Sequence, residues 1–230
     1  MNRLAYLVLP LTFALAACQV SSDPDLDQTG ARPALPAQND ALIPAMEIPT
    51  PKGWDGELPT VPEGFTVTAI AKDLKIPRQM LLLPNGDILV AEGSGGHAPA
   101  VRPKDVIAGM IKKRGKSSVE GGNRITLLRD RDGDGQTDLQ TTFIDGLDAP
   151  YGLAFVDGKI YVANQGNLVS FDYTEGATRI DGPGTEVTKL PSVINHHWTK
   201  AMTASPDGSK LYVGIGSNSN VGERGMDVEE

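Results

Sequence analysis

Between Gln79 and Val213 the chain alternates short apolar runs with polar turns, and the same unit returns three times. Gln79-Met80-Leu81-Leu82-Leu83, a Pro84-Asn85-Gly86 turn and Asp87-Ile88-Leu89-Val90-Ala91-Glu92 form the first hairpin. Tyr151-Gly152-Leu153-Ala154-Phe155, a turn at Asp157-Gly158 and Lys159-Ile160-Tyr161-Val162-Ala163-Asn164 form the second. The third opens at Asn195-His196-His197-Trp198-Thr199-Lys200, turns at Pro206-Asp207-Gly208 and closes on Leu211-Tyr212-Val213. Each run is β-prone, and each turn places Gly where the backbone must take a positive φ. Two further strands follow each complete hairpin: 124–128 and 141–144 after the first, 168–171 and 186–190 after the second. Phe65-Thr66-Val67-Thr68-Ala69-Ile70-Ala71 also alternates and is predicted as a strand.

Four strands per unit, with turn glycines recurring at intervals of 72 and 50 residues, predict the blades of an all-β propeller. A sandwich would give short strands without repeating one hairpin. Residues 78–147 make one blade, 151–193 a second, and 198 onward half of a third. A propeller closes with roughly 4 to 8 blades, so about two and a half blades predict the N-terminal part of a longer protein. In such a ring the first strand of every blade starts at one rim of the central channel. That brings Arg78, Tyr151, His197 and Lys200 together across the sequence, with Glu92 and Asn164-Gln165 returning to the same rim.

Composition agrees with many short strands: 26 Gly and 17 Pro in 230 residues, with aromatics at 5%. Residues 1–17 pair a basic end at Arg3 with an apolar stretch that is short for a membrane span, as in a signal peptide. Leu15-Ala16-Ala17-Cys18 resembles the lipobox of bacterial lipoproteins. The resemblance implies a lipidated Cys18 and an outer-membrane location facing the periplasm, while the recurring Pro predicts a tether over 18–58, with the propeller part from 59 to 230. Cys18 is the sole cysteine, which excludes an internal disulfide. A net charge of −8 argues against nucleic acid and leaves the lipid anchor as the means of membrane contact.

Two insertions break the strand pattern. Residues 97–120 are basic (Arg102, Lys104, Lys112, Lys113, Arg114, Lys116), with helical spacing at Val106, Ile107, Met110 and Ile111. They predict either a docking flap for an acidic partner or a solvated loop. Asp130, Asp132, Asp134, Gln136 and Asp138, with Gly135 at the sixth position, match most of a calcium-loop spacing. Thr141 stands where the closing Glu belongs, so a plain acidic turn is the alternative.

At the rim, His197 is a candidate general base, because imidazole is the side chain that most often moves protons near neutral pH, or it is simply structural. Arg78 and Lys200 suit an anionic ligand. A joint metal site at His196 and His197 is disfavoured, because adjacent strand residues face opposite ways.

Taken together, Pro77-Arg78-Gln79-Met80, Pro84 to Glu92, Asp130 to Asp138, Pro150 to Phe155, His197-Trp198-Thr199 and Ser205 to Gly208 resemble the sorbosone dehydrogenase group. Its members are relatives of the soluble glucose dehydrogenases that use pyrroloquinoline quinone. The resemblance implies a six-bladed propeller, oxidation of a sugar or aldehyde with hydride passing to the quinone, and calcium as a second cofactor. It implies His197 as catalytic base, Arg78, Tyr151 and Lys200 around the cofactor, and a quinone or cytochrome as electron acceptor. Tyr151 departs from the glutamine of the glucose enzymes. Two other functions stay open: a non-catalytic binding propeller, and a calcium-dependent lactonase-type propeller. The latter lacks the Asp or Glu it would need at the three strand starts.

Overall fold

The structure, a computed structural model, describes residues 29–34, 53, 56–95, 103–115, 120–192 and 197–216. The chain divides into two units, Met1–Pro49 and Thr50–Glu230. In the first, residues 29–34 are exposed and form neither helix nor strand. Cys18, the signal segment, most of the tether and His196 lie outside the described residues.

The second unit is built of antiparallel strands in chain order. Strands β1 (Pro77–Leu82), β2 (Ile88–Glu92), β3 (Arg124–Arg129) and β4 (Leu139–Ile144) form one four-stranded meander. Strands β5 (Gly152–Val156), β6 (Lys159–Ala163), β7 (Asn167–Asp172) and β8 (Thr185–Lys189) form a second. A two-stranded sheet follows, β9 (Met202–Ala204) and β10 (Leu211–Val213). One helix, α1 (Pro103–Arg114), stands between β2 and β3. This is a partial, propeller-like all-β fold.

Turn chemistry sets the register. Asp157 and Gly158 both have positive φ, 48° and 72°, the geometry of a two-residue hairpin turn. It locks Val156 opposite Lys159 and carries the pairing through to Gly152 opposite Ala163. In the third hairpin the Ser205 and Ser209 hydroxyls donate to Asp207, at 2.6 Å and 2.8 Å to Oδ1. Those bonds, the Ser205 one foremost, hold the Asp207 carboxyl down at about 2.

The two meanders pack face to face. Leu89, Ile125, Leu127 and Phe143 of the first meet Leu153, Ile160, Val162 and Phe171 of the second in one buried cluster. Each such side chain contributes about 2 kcal/mol on burial. The opposite face of the second meander carries Ala154, Ala163 and Leu168 against Met202 of β9. The sheets are therefore stacked in sequence, and β5 lies between β1 and β9. At Gly152 the approach is so close that a Cβ would stand 2.4 Å from the Lys200 carbonyl oxygen.

Two buried carboxylates pin the first meander. Asp87 is 2% exposed and takes a two-pronged contact from Arg129, with both bonds at 2.7 Å. Arg129 also donates to the carbonyls of Gly176 and Ala177 in the second meander's β7–β8 connection. Glu92, fully buried, receives Arg124 at 2.9 and 3.2 Å, the Thr126 hydroxyl and the Lys75 amide. It was expected at the channel rim, and pairing with Pro77 keeps it at the end of the sheet that carries Arg78. Its carboxylate nevertheless faces into its own blade, because Arg124 and Thr126 on the neighbouring strand supply the donors a buried carboxylate needs.

Phe65–Ala71 forms no strand, against the expectation from its alternation. Carbonyls at and just beyond its end bond to side chains instead: Thr137 Oγ1 donates to Ile70 O, and Gln140 Nε2 to Lys72 O at 2.9 Å. Phe65 stays 70% exposed. β-propensity forms a strand only where a partner strand pairs with it, and none of the described strands pairs with residues 65–71.

Replacing Asp87 with Asn strips the charge partner from Arg129 and is expected to lower urea-unfolding stability by about 3 kcal/mol. The Arg129 bond lowers the Asp87 pKa. For Glu92, burial pulls upward but is outweighed by the bonds from Arg124, Thr126 and Lys75, so it too is lowered. Lowered folded-state values mean the stabilisation is complete above roughly pH 4 and is lost as pH falls through the folded values. The Asn variant should therefore show a shallower acid limb than the parent in pH-dependent melting.

Candidate functional site

Arg78 stands near the start of β1, Tyr151 one residue before β5, and Trp198 to Lys200 just before β9. The third of these segments is irregular, since the strand predicted to begin at His197 begins at Met202. All three segments nevertheless reach the same place. The Arg78 guanidinium carbon lies 5.3 Å from the centre of the Trp198 ring and 5.7 Å from that of Tyr151. Both are cation–π distances, so one cation is held by two aromatic faces from two later strand starts.

The brace behind this convergence is Gln79. Its Nε2 donates to Leu153 O at 2.9 Å and to Met202 O at 2.8 Å, and its Oε1 accepts from the Met202 amide at 3.2 Å. One carboxamide thereby satisfies backbone groups on β5 and β9 from a position on β1. Arg78 precedes this anchor in β1, where the register shifts between Pro77 and Met80.

Lys200 is fully buried, and its Nζ donates to the Trp198 carbonyl at 3.0 Å. Burial pushes its pKa down. Among the described residues no carboxylate is paired with Arg78 or with Lys200, whereas Arg124 and Arg129 each hold one. The Arg78 Nε atom is buried with no hydrogen-bond partner. Arg78, laid on flat aromatic faces, thus keeps a guanidinium without a counter-carboxylate among the described residues.

His197 is exposed and lies next to Trp198 in the chain. Its backbone packs on Gly216, where a Cβ would come 2.3 Å from the His197 carbonyl oxygen. The segment after β10 thus packs closely against His197. Asn164, also expected here, is buried, and its Oδ1 has no partner.

The acidic loop is only partly gathered. Asp130, Asp132 and Asp138, all exposed, bring carboxylate oxygens within 4.8 Å of one another. Asp134 instead accepts from the Gln136 amide at 2.8 Å and side chain at 2.9 Å, so these two residues bond each other and stay outside the group. Asp130 accepts from the Gly133 and Gly135 amides at 2.7 and 2.8 Å, and these bonds, Gly135 first, lower its pKa.

Trp198 and Gln79 are the members that the sequence reading did not assign to the site. A lone Trp beside the His pair gave a signal for the first. For the second, a Gln in an otherwise apolar strand start gave a weak one.

No curated protein matches the chain. Among solved structures, an enzyme of Carbohydrate-Active Enzymes Family AA12 from Trichoderma reesei, in its iodide form, is similar at a TM-score of 0.50 and 20% identity. That alignment covers 70% of this chain and 35% of the other. The holo PQQ domain of the pyranose dehydrogenase from Coprinopsis cinerea aligns at a TM-score of 0.47 and 18% identity, over 70% of this chain and 32% of the other. The chain spans about a third of the length of either structure. At 20% identity the first likeness establishes the fold. Over residues 58–229 the sequence matches the model of DUF7133, a domain of unknown function, and on that extent the chain belongs to the DUF7133 family.

Proposed function

We propose that this chain forms part of a quinoprotein dehydrogenase that oxidises a sugar or aldehyde. The observation that carries the reading is the Arg78 guanidinium resting on Tyr151 and Trp198, with the buried Lys200 donating to the Trp198 carbonyl and no carboxylate on either cation among the described residues. The motif resemblance to the sorbosone dehydrogenase group supplies the reaction class. Pyrroloquinoline quinone is flat and bears carboxylates, which suits flat aromatic faces and unpaired cationic donors. The orphaned Arg78 Nε is the kind of buried donor that such a ligand would satisfy.

When bound, the quinone supplies a two-electron acceptor for hydride. The residues of this chain then bind, orient and move a proton. Arg78 and Lys200 hold the anionic edge of the ligand in a poorly hydrated setting, where their charge counts for more than in water. Tyr151 and Trp198 fix the Arg78 plane. His197, at the exposed edge, takes the proton from the substrate hydroxyl on an imidazole nitrogen, as a general base does. In the same reading the chain is a lipoprotein anchored through Cys18, and the sugar or aldehyde reaches His197 from the periplasm.

The decisive assay reconstitutes the full-length protein with quinone and calcium and follows dye reduction with aldoses and aldehydes. Quinone-dependent turnover is expected, and its absence from an intact protein overturns the proposal. In His197→Ala, turnover should fall by roughly 10²–10⁴-fold while quinone binding persists. An unchanged rate would mark a binding propeller instead.

We further infer that Asp130, Asp132 and Asp138 hold a calcium ion, supported by the closeness of their carboxylate oxygens. Hard cations favour such oxygen sets. Calorimetric titration of the full chain with calcium should show one site that Asp130→Asn removes. Heat that is the same in both proteins, or no heat at all, rejects it.

A further inference from the structure

Two of the three segments that reach the cluster enter it through the same backbone device. Ile76 stands at φ 48° and Ala149 at φ 45°. Each is followed by a proline, Pro77 or Pro150, and then by a site residue, Arg78 or Tyr151. A proline favours extended backbone in the residue before it. Positive φ is strained for any residue with a Cβ, and most of all for a β-branched one. Ile76 carries both burdens, so its conformation persists only where neighbouring groups hold it. Ala149 has such a neighbour in Asn123, whose Oδ1 accepts the Ala149 amide at 3.2 Å.

Two bonds hold Ile76, one on each side. The Lys75 amide donates to the Glu92 carboxylate, and the Ile76 carbonyl accepts from the Gly93 amide at 3.1 Å. Both partners come from the end of β2, where Glu92 pairs with Pro77. Glu92 is itself fixed by Arg124 and by the Thr126 hydroxyl. Gly122 lies so close that a Cβ there would stand 2.5 Å from Glu92 Cβ. Gly93 passes the hold on to the cluster. A Cβ on it would stand 2.8 Å from the Pro150 carbonyl oxygen and 3.3 Å from Arg78 Cγ. The residue that grips Ile76 therefore also lies against Arg78 and against the residue before Tyr151.

Pairing with Arg124 explains why a buried carboxylate is tolerated at position 92. It does not explain why that carboxylate also grips the amide of an exposed lysine, next to a strained isoleucine. We propose that Glu92 is a positioning residue for the site. Its carboxylate holds the Lys75–Ile76 bend in the left-handed conformation and so aims the Arg78 guanidinium at Tyr151 and Trp198. Glu92 acts only through the backbone of residues 75–77 and touches no ligand. The effect of this hold on quinone binding rests on the dehydrogenase reading, whereas the hold itself does not.

The test uses the full-length protein and reads the position of Arg78 directly. The Tyr151 and Trp198 rings impose a ring-current shift on the Arg78 side-chain protons, which NMR spectra report. Glu92→Gln should reduce that shift by roughly half or more and weaken quinone binding, followed by absorbance titration, by roughly tenfold. Asp87→Asn breaks another buried pair with an arginine and should leave the Arg78 shift unchanged, which separates position from stability. Glycine takes positive φ at no steric cost, so Ile76→Gly added to Glu92→Gln should restore the parent's shift. A role confined to pairing with Arg124 predicts no such rescue. A shift that Glu92→Gln leaves alone, or a loss that Ile76→Gly does not repair, overturns the proposal. Where Glu92→Gln does not fold, the parent decides. Its Lys75 amide should exchange hydrogen roughly a hundredfold slower than an unstructured chain, and exchange at the unstructured rate also overturns the proposal. A parent that takes up no quinone while the Arg78 shift responds as stated counts against the dehydrogenase reading alone.

Discussion

A single side-chain amide, that of Gln79, joins three strands that no ladder joins. β1, β5 and β9 belong to separate sheets, so the edges they turn toward one another have no backbone partner of their own. Buried backbone groups left unpaired are costly. Gln79 meets that need with two donations and one acceptance across Leu153 and Met202. A Gly at 152 lets β9 come near enough for the bridge to close. With that spacing set, Arg78 has Tyr151 and Trp198 within cation–π reach.

The outer part of the same interface is fastened differently. Arg129 runs from Asp87 to the Gly176 and Ala177 carbonyls, and the Ile180 amide donates to Phe143 O at 2.7 Å. Tyr173 closes the space between with edge contacts to Phe143 and Phe155. The two meanders are thus tied between β1 and β5 by an amide and at the β7–β8 connection by a guanidinium, with an apolar cluster between. This division has a chemical consequence. The buried acids Asp87 and Glu92 are neutralised by arginines within their own blade, so the rim cations Arg78 and Lys200 stand without them. A carboxylate beside either cation would make an internal ion pair there.

Much of this architecture was legible in the residues themselves. The hairpins followed from turn chemistry, because Asp157-Gly158 and Pro206-Asp207-Gly208 allow few other backbone paths. Their repetition then gave the blades and brought Arg78, Tyr151 and the segment of Lys200 to one rim. Phe65–Ala71 misled because alternation reports a capacity for pairing, and pairing depends on a neighbour that the segment does not carry. Glu92 misled for a related reason: strand position gave its rim but not its face, and Arg124, 32 residues later, decided which way it turned. The spacing of the acidic loop draws Asp130, Asp132 and Asp138 together, while Asp134 and Gln136 are close enough in sequence to bond each other first. Gln79 was hidden because a glutamine's reach across two sheets leaves no periodic trace.

The central claim, that the Gln79 amide holds three innermost strands to a common rim, is tested most directly by hydrogen exchange at the Met202 amide in the full-length protein. The account predicts that this amide, whose acceptor is Gln79 Oε1, is protected in the parent. In Gln79→Leu it should exchange at least tenfold faster, while the Val162 amide inside the second meander keeps its rate. A Met202 amide that exchanges equally fast in both proteins would contradict the account.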